Sequence, residues 1–148
     1  MNKSEKAAAA MQEHRMNCAQ TVLTTFSADL GIDLDTALRV AMGFGGGMGG
    51  SGRTCGAVTG AYMVLGSAQK IDPANPRASI ARNNKLMQKF NRRFTRLHGS
   101  MTCKELLGYD VSDKKELEKA RRRNVFARVC PALVGDSVKI LDNLLKSK

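Results

Sequence analysis

The chain has 148 residues, a length that fits a single domain, and a net charge of +11, which favours an acidic partner. Hydrophobic residues make up 43% and charged residues 25%, which excludes a disordered chain, and no apolar stretch is long enough for a signal core or a membrane span. We therefore expect a cytoplasmic protein, in which four cysteines favour redox, catalytic or metal-binding chemistry over a disulfide framework.

The first third of the chain has the periodicity of helices. An apolar stripe that includes Cys18 predicts one long helix over residues 4–30. Either Asp33 or Asp35 is expected to cap a short helix over residues 36–42. The chain therefore begins as two helices of very different length.

Seven glycines in ten residues distinguish the segment Gly43–Gly52. Such a segment permits unusual backbone conformations and a close approach to another group. We expect it to pass beside a buried site, where the backbone N–H groups of Gly45, Gly46 and Gly47 could hydrogen-bond to a thiolate or to the sulfur of a cluster. A phosphate cradle is the alternative, but the sequence lacks the lysine of a P-loop and the strand that precedes a dinucleotide loop.

The remainder of the chain predicts further helices. Residues 54–67 are apolar on every side, which indicates a buried helix, and Gly56 and Gly60 would let another helix approach closely. Additional helices are predicted over residues 77–97, 102–107 and 112–123, and from Pro131 onwards. We find no strand-like alternation of any length. The sequence thus predicts an all-α fold, in which residues 1–148 form a single-domain bundle of about five to seven helices with a glycine-rich loop.

The outer face of the predicted 77–97 helix is strongly basic. Its cations are Arg77, Arg82, Lys85, Lys89, Arg92, Arg93 and Arg96. A run of this kind is usually a solvated face, and the alternatives are contacts with an acidic protein, an anionic membrane or nucleic acid. Nucleic acid is not expected as a partner, because no binding motif and few aromatic residues accompany the charge. The basic face and the glycine segment would both suit a homodimer.

Three of the four cysteines are predicted to begin helices. Cys55 follows the glycine segment, and Cys103 lies between Thr102 and Glu105 in a capping-box pattern. Cys130 precedes a proline, which favours the first position of a helix, so Cys130 is the expected cap. Free N–H groups and the positive end of the helix dipole stabilise a thiolate, so these positions favour a lowered cysteine pKa.

Cys18 is predicted to face the core, where the other three thiols could join it in a four-cysteine site. His14 lies one turn earlier and is a candidate to support that thiol. The gaps between the cysteines are 37, 48 and 27 residues and contain no Cys-x-x-Cys. This spacing excludes zinc ribbons, thioredoxin-type motifs and ferredoxin-type runs.

Two redox mechanisms remain open. Cys18, Cys55, Cys103 and Cys130 could ligate an iron–sulfur cluster or another thiolate-bound metal and exchange electrons with a redox partner protein. In the other mechanism a low-pKa thiolate, Cys55 or Cys103, attacks a disulfide or peroxide and a neighbouring cysteine resolves the product. The alternative from a different class is a basic interaction module for an acidic partner or nucleic acid, with structural cysteines.

The cysteine motifs together resemble a known family. In order they are Asn17-Cys18-Ala19-Gln20, the glycine segment, Cys55-Gly56-Ala57-Val58-Thr59-Gly60-Ala61, Cys103-Lys104-Glu105-Leu106-Leu107-Gly108 and Cys130-Pro131. From about residue 11 to residue 135 the chain resembles the C_GCAxxG_C_C family, although the family label places glycine before cysteine where this chain has Cys55-Gly56. The resemblance implies a helical fold and a redox role for the four cysteines.

The chain is also similar to the cysteine-bearing part of split-Soret cytochromes, which makes an iron–sulfur site worth testing. It lacks the Cys-x-x-Cys-His motif that would attach haem covalently.

Overall fold

Apart from one isolated β-bridge, helices account for every regular element in the part of the chain that the computed structural model describes, residues 1–13 and 15–147. The α-helices of that part are α1 (Lys3–Gln12), α2 (Cys18–Ser27), α3 (Leu34–Ala41), α4 (Gly56–Ser67), α5 (Pro76–His98), α6 (Cys103–Leu107), α7 (Lys114–Arg122) and α8 (Val125–Lys146). A 3-10 turn at Met42–Phe44 follows α3. The all-α prediction is confirmed, with one helix more than the sequence predicts.

The additional helix arises because the predicted 4–30 helix is broken in two. Asn17 caps α2: its side chain accepts the Gln20 N–H at 2.9 Å, and the Gln20 side chain accepts the Asn17 N–H at 3.0 Å. Asn17 has the extended backbone of an N-cap residue, so a continuous helix cannot pass through it. The prediction of one helix is therefore wrong, and Cys18 begins α2. His14 lies outside the described residues.

The last helix begins earlier than predicted. Helix α8 starts at Val125, after Asn124 with a φ of 53°, and contains Pro131 in its interior. Cys130 is therefore not a cap, and that prediction is wrong. An internal proline forfeits one helical hydrogen bond, but Pro131 and Cys130 are both buried, so tertiary packing outweighs the local preference.

Helix α8 is the centre of the bundle and packs against α1, α2, α4, α5, α6 and α7. Its apolar stripe is buried, with Val134, Val138 and Leu141 fully enclosed. The largest enclosed side chains include Phe26 from α2 and Phe90 from α5. Burying a side chain of this size stabilises the fold by roughly 1.5–3 kcal/mol, so one shared cluster holds the helices together.

Helix α5 exposes its basic residues to solvent, as predicted. The apolar periodicity of this segment predicts an inward face of Ile80, Met87, Phe90, Phe94 and Leu97, but Ile80 and Leu97 are each 60% exposed and Ser79 is buried instead. The Ser79 hydroxyl accepts the backbone N–H of Asp72 at 2.9 Å, which satisfies a polar side chain at an inward position. Among the described helices, none combines the length and the unbroken apolar character that crossing a membrane demands.

Candidate functional site

A cavity of about 500 Å³ lies where the N-terminal ends of α2, α4 and α6 meet the first half of α8. Cys18, Cys55, Cys103 and Cys130 all line this cavity, and all four are free thiols. Cys18 is half-buried and the other three are buried. Because each cysteine belongs to a different helix or its cap, the thiols come together only when the bundle has formed.

Three cysteines begin helices, but they are not the three that the sequence predicts. Cys55 is the N-cap of α4 and Cys103 is the first residue of α6, in agreement with the sequence analysis. Cys18 is the third, as the first residue of α2, whereas Cys130 lies within α8. Cys18, which the sequence places on a core-facing stripe, therefore lies at a helix start instead.

An isolated antiparallel bridge joins the segment before α4 to the segment before α6. The Cys55 N–H donates to the Met101 carbonyl at 2.8 Å, and the Cys103 N–H donates to the Arg53 carbonyl at 2.6 Å. Glu105 does not close the predicted capping box, because its carboxylate accepts a hydrogen bond from a serine hydroxyl before the helix. The bridge, and not a cap, fixes the start of α6.

Two glycines allow α4 to lie directly against α2. A Cβ atom added to Gly56 would lie 2.8 Å from the Ala19 nitrogen and 2.9 Å from the Cys18 Cβ. A Cβ atom at Gly60 would lie 2.9 Å from the Ala19 carbonyl oxygen. The predicted close approach at this face is confirmed, and it places the beginning of α4 beside Cys18.

The glycine segment contains a left-handed turn. Five consecutive residues, from Gly46 to Gly50, have φ values between 59° and 73°. Residues other than glycine rarely adopt this conformation and normally do so singly. The one exception within the turn is Met48, whose side chain is exposed.

The left-handed turn forms part of the cavity wall. Gly46 and Gly47 line the cavity. A Cβ atom at Gly47 would lie 2.5 Å from the Arg53 nitrogen and 2.7 Å from the Cys103 Cβ, so only glycine fits between them. Gly45, the third glycine singled out by the sequence, packs instead against the side chain of Asn17.

The Cys18 thiol interacts with the thiols of Cys55 and Cys130, and its single S–H can donate to only one of them at a time. The hydrogen bond from Cys18 lowers the pKa of Cys55, and the backbone N–H groups of Ala57 and Val58 act in the same direction against the effect of burial. The pKa of Cys18 is raised well above its ordinary value by the hydrogen bonds with Cys130 and Cys55 and by burial. This arrangement favours a Cys55 thiolate beside a protonated Cys18.

Cys103 has the opposite character from the one predicted. Burial raises the pKa of Cys103 to about 12, and negative charge on Cys55 and Cys130 acts in the same direction. Its own N–H is already bonded to Arg53, and α6 has only five residues, so the helix start offers this thiol little stabilisation. The expectation that Cys103 is a low-pKa nucleophile is wrong.

The cysteines are the metal-ligand candidates at this site. Within residues 1–13 and 15–147, no three or more His, Cys, Asp and Glu side chains are arranged around a position for a single metal ion. Four thiols are, however, the donor set that [2Fe–2S] and [4Fe–4S] clusters use. Because all four face one cavity, the donor chemistry fits a cluster better than a single ion.

The cavity includes two arginines that the sequence analysis did not single out. Arg15 and Arg121 both line it and are both exposed. Much of the remaining wall is apolar, with contributions from Met11, Leu106 and Phe126. No local pattern separates these arginines from the many other cations of the chain, and the basic residues of α5 do not line the cavity.

All four cysteines lie in the part of the chain that matches a known protein family. The model of the family described as “Putative redox-active protein (C_GCAxxG_C_C)” matches residues 16–144, which include all four cysteines. A protein from Archaeoglobus fulgidus, described as “Uncharacterized protein”, is 26% identical over 155 residues that cover 99% of this chain and 95% of that protein. No solved structure matches the chain at a significant level.

Proposed function

This chain belongs to the C_GCAxxG_C_C family, and from that premise we propose that it is a thiol–disulfide redox protein in which Cys55 attacks and Cys18 resolves. The observation that carries the proposal is the placement of these two thiols at the adjoining starts of α2 and α4, where a Cβ atom added to Gly56 would lie 2.9 Å from the Cys18 Cβ. A thiolate is the attacking species in disulfide exchange, and Cys55 is the thiol whose pKa is lowered.

The proposed reaction has two steps. The Cys55 thiolate attacks one sulfur of a substrate disulfide, which forms a mixed disulfide and releases the first thiolate. Cys18 then attacks the Cys55 sulfur, forms the Cys18–Cys55 disulfide, and gives its proton to the second departing thiol. Two electrons pass from the protein dithiol to the substrate. Cys18 can act in this way because α2 and α4 are in direct contact beside it.

Mass spectrometry of serine variants tests the assignment. Reduced protein treated with a small disulfide should form an internal Cys18–Cys55 disulfide. Cys18→Ser should retain the mixed disulfide on Cys55, whereas Cys55→Ser should form neither product. Cys103→Ser is the control and should behave as the parent protein. A stable mixed disulfide on Cys103 or Cys130 in the parent protein would contradict the assignment.

An iron–sulfur protein is the second candidate. It is favoured by the convergence of Cys18, Cys55, Cys103 and Cys130 on one cavity, because these four thiols would hold the cluster. The cluster would supply one-electron transfer. Iron, acid-labile sulfide and visible absorbance should be measured on protein purified without air. Iron with sulfide, and absorbance that bleaches on reduction, would replace the dithiol proposal.

A cytoplasmic location and a redox partner protein belong to the same proposal. Free thiols are maintained in reducing compartments, which supports the location. The basic face of α5 supports an acidic partner. If the chain were instead a basic interaction module, Cys55→Ser would leave its binding and its cellular role intact.

A further inference from the structure

Three of the four thiols are buried, and Cys18 is half-buried beside them in the cavity lining. Cys55, Cys130 and Cys103 are 3%, 5% and 6% exposed, respectively. Burial of these sulfurs favours a small disulfide over one that is held in the surface of another folded protein. A cavity of about 500 Å³ with largely apolar walls is, by contrast, within the range of small-molecule sites, roughly 300–1,000 Å³.

Two cations contribute to the lining of this cavity. Arg15 and Arg121 contribute to its lining, and neither forms an ion pair with any carboxylate in the described part of the chain. Arg121 is near the end of α7, and Arg15 lies in the turn before α2, so two separate elements contribute an arginine to the lining of the same cavity. Guanidinium groups bind carboxylates and other planar anions in preference to neutral groups.

We propose that the substrate of the four-cysteine cavity is a small organic disulfide that carries carboxylate groups, bound through Arg15 and Arg121. The inference rests on the proposed thiol–disulfide function and adds the class of substrate to it. The reaction is the exchange described above. The anionic disulfide is reduced to two thiols, and Cys18 and Cys55 are oxidised to a disulfide. A separate dithiol would have to reduce the protein again.

Three small disulfides of different charge provide the test: dithiodipropionate, bis(2-hydroxyethyl) disulfide and cystamine, which are dianionic, neutral and dicationic. The rate of Cys18–Cys55 disulfide formation is measured on the reduced full chain and divided by the rate of each probe with free dithiothreitol, a neutral dithiol, which removes differences in intrinsic reactivity. At low salt the dianion should react on the order of tenfold faster than the dication. The ratio should fall towards one in 1 M salt.

The variants separate a local site from the general field of a basic protein. Arg15→Gln and Arg121→Gln should each lower the preference for the dianion about two- to fivefold. Arg92→Gln is the matched control, because it removes the same charge from the exposed face of α5, away from the cavity, and should lower it much less. All three arginines are exposed, so the variants should fold as the parent does, which circular dichroism would verify.

The outcomes distinguish the inference from the function on which it rests. Equal normalised rates for the three probes, or an equal effect of Arg92→Gln and Arg121→Gln, would overturn the anionic substrate and leave the dithiol chemistry standing. Failure of every probe to oxidise Cys55 would overturn both.

Discussion

Replacing Cys18 with alanine should raise the pKa of Cys55. The Cys18 thiol donates a hydrogen bond to the Cys55 sulfur, and this is the largest cause that lowers the Cys55 pKa. Hydrogen bonds to charged groups contribute roughly 1.5–3 kcal/mol. About 1.4 kcal/mol is a factor of ten in an equilibrium constant, so Cys18→Ala should raise the pKa of Cys55 and lower its thiolate fraction at neutral pH by at least about tenfold. Cys18→Ser retains an O–H donor at the same position and should raise it much less.

The assay is the pH dependence of Cys55 alkylation by iodoacetamide, followed by mass spectrometry so that each thiol is measured separately. The midpoint should move upward in Cys18→Ala and remain near that of the parent in Cys18→Ser. Cys18 is the first residue of α2, where alanine is well tolerated, so loss of the helix should not complicate the measurement. An equal midpoint in the parent and in Cys18→Ala would refute the hydrogen-bond argument.

The other predictions concern stability, measured by urea denaturation of the reduced protein. Gly47→Ala should lower the free energy of unfolding by at least about 2 kcal/mol, because the added Cβ atom is strained at this φ and also overlaps its neighbours. Gly50→Ala has a similar φ of 73° but no atom within 4 Å of the added Cβ, so it should lower the free energy of unfolding by only about 1 kcal/mol. Equal losses would contradict the packing role of Gly47. Met48→Gly should leave the stability unchanged or raise it by up to about 1 kcal/mol, because it removes strain at a φ of 70°, and a clear loss would contradict this. The pKa of Cys103 is raised from 9.0 to about 12 in the folded chain. Between these two pH values the unfolded chain releases the Cys103 proton and the folded chain keeps it. The free energy of unfolding is therefore unaffected by this thiol below pH 9 and falls as the pH rises towards 12, with a slope of at most about 1.4 kcal/mol per pH unit. Cys103→Ala should flatten this alkaline loss, and an unchanged slope would count against the raised pKa.

The features of the site that could be predicted from the sequence are those that depend on short stretches of the chain. The glycine segment and the apolar 54–67 stretch both indicated a backbone that approaches a buried group closely, and the structure has that approach at Gly47 and Gly56. The break before Cys18 was also visible in principle. Asn17 and Gln20 have the spacing of a capping box, a local signal that the strong apolar stripe concealed.

Other properties depend on tertiary structure and could not be read from local patterns. Proline is typical of the first position of a helix, which favoured a start at Pro131. Packing of α8 against six helices instead fixes where that helix begins. The pKa of Cys103 depends on its burial and on neighbours far away in sequence. In the same way, Arg15 and Arg121 belong to distant parts of the chain, and only the folded bundle makes both of them line one cavity.

The bridge between the segments before α4 and α6 makes the cysteine amides reporters of how this site opens. The N–H groups of Cys55 and Cys103 are each donated to a carbonyl of the opposite segment, and the Lys104 N–H is donated to Gly52. Amides that lose their acceptors in one event show the same protection against exchange with solvent deuterium, once their intrinsic exchange rates are divided out. Exchange at these three positions would therefore measure the free energy needed to separate the floor of the cavity, independently of any chemistry at the sulfurs.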